Sequence, residues 1–205
     1  MGADDDVQNA IAAIRAGQPV LLPTDTVYGL VTSASREEYA WRLYKLKGRD
    51  ALQPTALLAA SVEALYGCVP ELRALAGVII EELLPGPYTL VLPNPARRYP
   101  WLTGTRTDAI GVRVVDMPEA AARVVESVRC VTATSANEPG EPSPATLDQV
   151  PTRIREACAA EIDAGALGGT SSAVIDFTGK EPYVIREGLA PAADAIARVR
   201  RALAA

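Results

Sequence analysis

The chain has 205 residues, 49% of them hydrophobic and 22% charged, with 20 basic against 25 acidic side chains and a net charge of −5. That composition reads as an ordinary soluble globular protein with enough length for one good core, so a single domain over residues 1–205 is expected. It excludes a disordered chain, and the negative charge argues against a broadly basic surface that coats nucleic acid.

No apolar run approaches the ~20 residues of a membrane helix, so no membrane partner is expected. The N-terminus, Met1-Gly2-Ala3-Asp4-Asp5-Asp6, lacks a basic region followed by an apolar one, and a cytoplasmic location follows as the expectation. Cys68, Cys130 and Cys158 are odd in number and form no CxxC pair, which disfavours a disulfide frame or a zinc site and reads as small apolar packing. The chain contains no histidine at all. Ser-His-Asp, Cys-His and HExxH mechanisms are therefore excluded, and any chemistry must run on alignment, charge and hydrogen bonds.

In chain order, a first helix is expected from Asp6 to Ala16 with Val7, Ala10, Ile11 and Ile14 on one face and Gly17 as its stop. Strand Val20 to Leu22 then empties into the hydroxyl-rich turn Pro23-Thr24-Asp25-Thr26-Val27-Tyr28-Gly29-Leu30. Ser35 and Glu38 form a capping box for a helix ending near Lys47. A strand is expected over Thr55 to Ala60, a short helix capped by Ser61, and a longer helix from Pro70 to Leu83 that halts at Pro85-Gly86-Pro87. Strands follow at Tyr88 to Leu92 and Ile110 to Val114, then a helix over Pro118 to Val128 and a strand over Val131 to Thr134. After the loop Ser135 to Ser143 come helical segments to Glu161, a flexible glycine-rich loop at Gly165 to Ser172, strands Val174 to Asp176 and Tyr183 to Arg186, and a terminal helix. This alternation predicts a single α/β domain with a twisted mixed sheet and flanking helices.

Four strand ends carry small hydroxyls or a lone cation: Thr24 to Tyr28, Arg113, Thr132 to Asn137, and Ser171-Ser172 with Arg186. Only three lysines occur, and two of them, Lys45 and Lys47, precede Gly48-Arg49. That pattern fits either a local demand for ammonium groups or a solvated helix end with cations near its C-terminus. Arginine forks bind carboxylate or phosphate bidentately while Ser, Thr and Asn fix remaining oxygens, so the collection suits a highly anionic ligand. Arg113, alternating with Val112 and Val114, points to the opposite sheet face from both. It is a carboxylate clamp if that face lines a cleft and a surface residue otherwise. Neither GxxxxGK[ST] nor GxGxxG is present, so neither a P-loop nor a dinucleotide fold is claimed.

The motifs Pro23 to Leu30, Lys47-Gly48-Arg49, Pro85 to Thr89, Gly111-Val112-Arg113, Thr134 to Asn137 with Gly140 to Ser143, and Ser172 to Asp176 resemble, in order, those of the YrdC-type threonylcarbamoyl-AMP synthases. The resemblance spans nearly the whole chain and corresponds to the short, single-domain form. It implies a YrdC-like fold with a concave basic face. The implied activity is that of a nucleotidyltransferase making threonylcarbamoyl-adenylate and pyrophosphate from L-threonine, bicarbonate and ATP. Mg²⁺ would travel with the ATP. The product would pass to a tRNA threonylcarbamoyl transferase complex for modification at position 37.

Carried over by position, the resemblance implies that Lys47 and Arg49 neutralise ATP phosphates and act in catalysis. It places Ser135, Asn137, Ser143 and Arg186 on the nucleotide side, and Thr26, Arg113, Thr134 and Ser172 around threonine. Tyr28 would shape the pocket wall, and no metal ligand from protein side chains is implied. The chain departs from the family pattern at Gln53, where a lysine is common, and at Leu58, where a histidine would contact substrate. Further departures are Val115, Met117 and Ala173. The alternatives are a related carbamoyl-adenylate-handling enzyme and an RNA-binding paralogue that has lost turnover.

Overall fold

The computed structural model describes residues 2–50 and 52–204; Met1, Ala51 and Ala205 of the expected 1–205 span lie outside them. Among the described residues, nine strands form one mixed sheet. They are β1 (Val20–Pro23), β2 (Tyr28–Ser33), β3 (Ala56–Ala59), β4 (Tyr88–Pro93), β5 (Ala109–Val114), β6 (Cys130–Ser135), β7 (Ala160–Glu161), β8 (Ala173–Asp176) and β9 (Tyr183–Arg186), in the order β7-β1-β2-β6-β3-β5-β4-β8-β9. The helices are α1 (Ala3–Arg15), α2 (Glu37–Lys47), α3 (Val62–Cys68), α4 (Glu71–Leu83), α5 (Glu119–Val128), α6 (Thr152–Glu156) and α7 (Ala192–Ala204). β1 with β7, β3 with β5 and β4 with β8 run parallel, and the other neighbours run antiparallel. Among the described residues no helix is long and apolar enough to cross a membrane.

Side chains alternate across each strand, and the two faces of the sheet are treated differently. On one face Leu21, Leu30, Leu57, Leu90, Val112 and Ile175 join residues of α2, α3, α4 and α7 in the larger core. On the other, Val20, Leu22, Val31, Leu58 and Val131 pack under α1 and α5, over β1, β2, β6 and the Leu58 end of β3. Among the described residues the remainder of that second face carries no helix. The open area is where a site can form.

The helix ends and turns depart from expectation in instructive ways. α1 begins at Ala3, three residues early, because Asp4, Asp5 and Asp6 sit in its first turn, where carboxylates favour the positive end of the helix dipole. The Ser35–Glu38 capping box does not form: Arg36 is the N-cap without a side-chain bond, and Ser35 Oγ lies 2.9 Å from Ser33 Oγ instead. Ser61 does cap α3, accepting from Ala64 N at 3.0 Å. α2 ends on Gly48, whose φ of +66° is the left-handed conformation glycine adopts at least cost. The expected helical run to Glu161 ends sooner: Ala160–Glu161 pairs with β1 as a short parallel strand. β2 was not foreseen, because its Tyr28-Gly29-Leu30-Val31 stretch is buried on both faces and lacks a period-2 pattern.

Candidate functional site

The uncovered sheet face opens into a cleft of about 400 Å³. Its floor is a row of small residues facing one another across neighbouring strands. Ala133 of β6 sits opposite Ala56 of β3, Ala56 opposite Gly111 of β5, and Gly111 opposite Val91 of β4. Methyl groups or nothing at three consecutive positions leave a trough that larger residues would fill. A Cβ added at Gly111 would meet its nearest atoms at 3.8 Å, ordinary van der Waals contact, so it fits without a clash.

The walls carry the polar groups. Thr26, Arg49, Arg113, Thr134, Ser135, Ser172 and Arg186, all expected from sequence, line this cleft together. Arg113 does point away from Val112 and Val114, which are buried in the larger core. Its Nη2 donates to Asp25 Oδ1 at 2.9 Å, and both side chains are nearly buried, at 11% and 14% exposure. Asp25 Oδ2 and Arg113 Nε are buried without a hydrogen-bond partner. Burial raises the Asp25 carboxyl above its usual range, with Arg113 opposing that shift, and lowers Arg113.

Arg49 donates to Thr134 Oγ1 at 3.2 Å and to Pro54 O at 2.6 Å, leaving its Nε buried and unpaired. Arg186 donates through Nη2 to Ser172 O at 2.8 Å. Ser172 Oγ lies 2.9 Å from Thr89 Oγ1. Arg49 and Arg186 therefore hold only neutral oxygens among the described residues, and desolvation lowers both. Arg106, also lining the cleft, is instead neutralised by Asp176 at 2.7 Å.

Lys47 is 5% exposed, which removes the reading of a solvated helix end. Contrary to a free phosphate-facing ammonium, it lies behind the cleft wall and donates to Ser135 O, to Ser135 Oγ at 3.2 Å and to Asn137 Oδ1 at 2.8 Å. Desolvation, aided by the nearby Arg49 charge, lowers its amine to about 8. Asn137 and Ser143 line a separate hollow of about 330 Å³ beside the cleft. Two links join the hollows: Lys47 binds residues of both, and Ser143 Oγ lies 2.9 Å from Ser171 Oγ on the cleft wall.

Tyr28 is the clear correction. As the first residue of β2 it points into the larger core with no exposure, so it forms no part of the cleft wall. Its hydroxyl lies 3.0 Å from Asp163 Oδ1 and 2.9 Å from Gly165 O, and accepts from Ala164 N at 2.9 Å. With Gly169 N donating to Thr26 O at 3.0 Å, these bonds fasten the glycine-rich loop that sequence reads as flexible. Thr26 borders the cleft but is fully buried, its hydroxyl 3.1 Å from Thr24 Oγ1. Among the departures from the family pattern, Leu58 and Val115 pack under α1 and α5 and Ala173 lies in the larger core. None of the three lines the cleft, although Leu58 stands opposite Arg113 in the register of β3 and β5.

Asp25, Thr89 and Arg106 were not singled out from sequence. Thr89 carried a signal, a lone polar residue alternating with Tyr88 and Leu90. Asp25 carried none, since only the hairpin between β1 and β2 aims it at a strand 88 residues away. Among the described residues no group of three His, Cys, Asp or Glu side chains could hold a metal ion.

Comparison with known proteins bears on this geometry. Residues 12–188 match the Sua5/YciO/YrdC family, whose description is "Telomere recombination". The threonylcarbamoyl-AMP synthase of Pyrococcus abyssi is 36% identical over 189 residues, covering 90% of this chain and 54% of that protein. The chain thus spans about half the length of that relative, and the same holds for the Bacillus subtilis protein of that name. The threonylcarbamoyl-AMP synthase of Halorhodospira halophila is 34% identical, covering 89% of this chain and 90% of that one. Among solved structures, P. abyssi Sua5 complexed with L-threonine superposes with a TM-score of 0.81 at 32% identity over 94% of this chain and 56% of that one.

Proposed function

The chain belongs to the Sua5/YciO/YrdC family, and from that premise we propose that it is a threonylcarbamoyl-AMP synthase. It would join L-threonine, bicarbonate and ATP and release pyrophosphate. The observation that carries this reading is the convergence of Lys47, Arg49 and Arg186, cations without a carboxylate partner among the described residues, around a cleft lined by hydroxyls. Two partly desolvated cations facing one hollow, Arg49 and Arg186, with Lys47 behind its wall, repel one another until an anion arrives, and a triphosphate answers that demand.

The residues divide the work. Arg113, held by Asp25, clamps the α-carboxylate of threonine beside Thr134 and Ser172. Arg49 and Arg186 take phosphate oxygens, with Lys47 adding charge through the Ser135 and Asn137 it positions. Ser143 and Asn137 receive the nucleoside side in the adjoining hollow. Threonine's amine adds to bicarbonate with loss of water to give a carbamate. The carbamate oxygen then attacks the α-phosphorus, and the bond to the pyrophosphate oxygen breaks. No protein nucleophile or imidazole base is required, which suits a histidine-free chain; alignment and charge neutralisation supply the rate.

Mg²⁺ enters on the triphosphate as part of the substrate, its ligands phosphate oxygens and water. The hydroxyl and guanidinium donor set of the cleft, with Asp25 already committed to Arg113, suits that division. The product would be consumed by a separate tRNA threonylcarbamoyl transferase.

The test is pyrophosphate release from labelled ATP, with threonine and bicarbonate omitted in turn. Release that needs both supports the proposal. No release under any condition, together with salt-sensitive RNA binding, would replace it with an RNA-binding role.

A further inference from the structure

Cys68 and Cys130 play no part in the cleft, yet they are not the isolated apolar residues that their spacing implies. Cys68 is the last residue of α3 and Cys130 the first of β6. Although 62 positions apart in sequence, their sulfurs lie 2.9 Å apart and share a hydrogen bond. The topology explains the meeting. β3 pairs antiparallel with β6, placing Ala59 opposite Cys130, and α3 then folds back over the covered face of the sheet. Both thiols are free and half-buried. Cys158 offers the contrast: it donates to the Ile154 carbonyl at 3.2 Å, and burial pushes its thiol up to about 12.

We propose that Cys68 and Cys130 form a reversible thiol–disulfide site that is oxidised by hydroperoxides. An S–S bond measures about 2.05 Å, so the sulfurs have less than ~1 Å to close. The nucleophile is Cys68. The hydrogen bond shared with Cys130, helped by Tyr99 and the nearby Arg129 guanidinium, holds its thiol below the usual range, while Cys130 is pushed up. Thiolate, not thiol, attacks peroxide. In the first step the Cys68 thiolate attacks the O–O bond. An S–O bond forms, O–O breaks, and the departing hydroxide takes up the proton that Cys68 gave away, leaving water and a sulfenic acid. In the second step Cys130 loses its proton and attacks the sulfenic sulfur. S–S forms, S–O breaks, and the oxygen leaves as a second water. Two thiols are oxidised and one hydrogen peroxide is reduced. The crosslink joins α3 to β6 on the face opposite the cleft. This inference does not depend on the function assigned to the cleft.

The experiment treats the chain with one equivalent of hydrogen peroxide, then alkylates with N-ethylmaleimide and digests without reduction. The expected result is one peptide pair linking Cys68 to Cys130, loss of the mass of two hydrogens, alkylation at Cys158 alone and reversal by dithiothreitol. Cys130→Ser should stop at a sulfenic acid on Cys68 that dimedone traps, whereas Cys68→Ser should give none at Cys130. Oxidation of Cys158 as fast as Cys68, crosslinks only between chains, or no dimedone adduct in Cys130→Ser would overturn the proposal.

Discussion

At the residue scale the account turns on two basic side chains placed differently. Arg113 is nearly buried against Asp25 in the cleft wall. Arg113→Ala should raise the KM for threonine roughly 10- to 100-fold, the scale of a lost charge-assisted contact, and leave the dissociation constant for ATP within about threefold. Equal losses for both ligands would remove Arg113 from the carboxylate role. Lys47, with its amine lowered to about 8 from 10.5, makes a prediction about protons. Below pH 8 it is charged before ligand arrives. At pH 8.5 the folded chain holds more of it neutral than charged, and an incoming phosphate would raise its affinity for a proton. Nucleotide binding at pH 8.5 should therefore take up a proton, measured by calorimetry in two buffers of different ionisation enthalpy, and binding at pH 6.5 should not. Uptake that persists in Lys47→Met would place it on another group. These roles were only partly legible. The motifs named the arginines and hydroxyls, but the Asp25 carboxylate and the enclosure of Lys47 depend on contacts made 88 residues or more along the chain.

At the element scale, most helices and strands could be read from periodicity and turn residues, because each has one dry face and a clear stop. The misses share a cause. β2 and β7 are short or buried on both faces and are held by pairing with β1, and β2 also with β6, so their pairing is tertiary rather than local. Tyr28 misled for the same reason: without β2, its position inside a polar motif looked like a pocket wall. The trough floor was equally hidden, since the smallness of Ala56, Gly111 and Ala133 matters only once they stand side by side. It yields a direct prediction. Gly111→Val has room for its Cβ and suits a strand, so the variant should fold with stability within ~1 kcal/mol of the parent by thermal melting. Its added methyls would occupy the cleft, and threonine affinity should fall at least about tenfold. Undiminished binding in a folded Gly111→Val protein would show that ligands do not use this floor.

At the scale of the whole molecule, the sheet order brings β2, β6, β3, β5, β4, β8 and β9 side by side, so residues from Thr26 to Arg186 open on one trough. α1 and α5 shield half of that face and leave the other half free, which turns an ordinary two-layer arrangement into a binding surface. An alternating strand–helix pattern foretold the layers but not which half would stay uncovered. The departures at Leu58, Val115 and Ala173 fall at buried positions outside the cleft lining. The most direct measurement is a crystal structure of the chain grown with L-threonine and a non-hydrolysable ATP analogue. The account predicts the amino-acid carboxylate on Arg113, phosphates against Arg49 and Arg186, and the nucleoside toward Asn137 and Ser143. An analogue bound elsewhere, with the trough between Gly29 and Arg186 left to solvent, would contradict it.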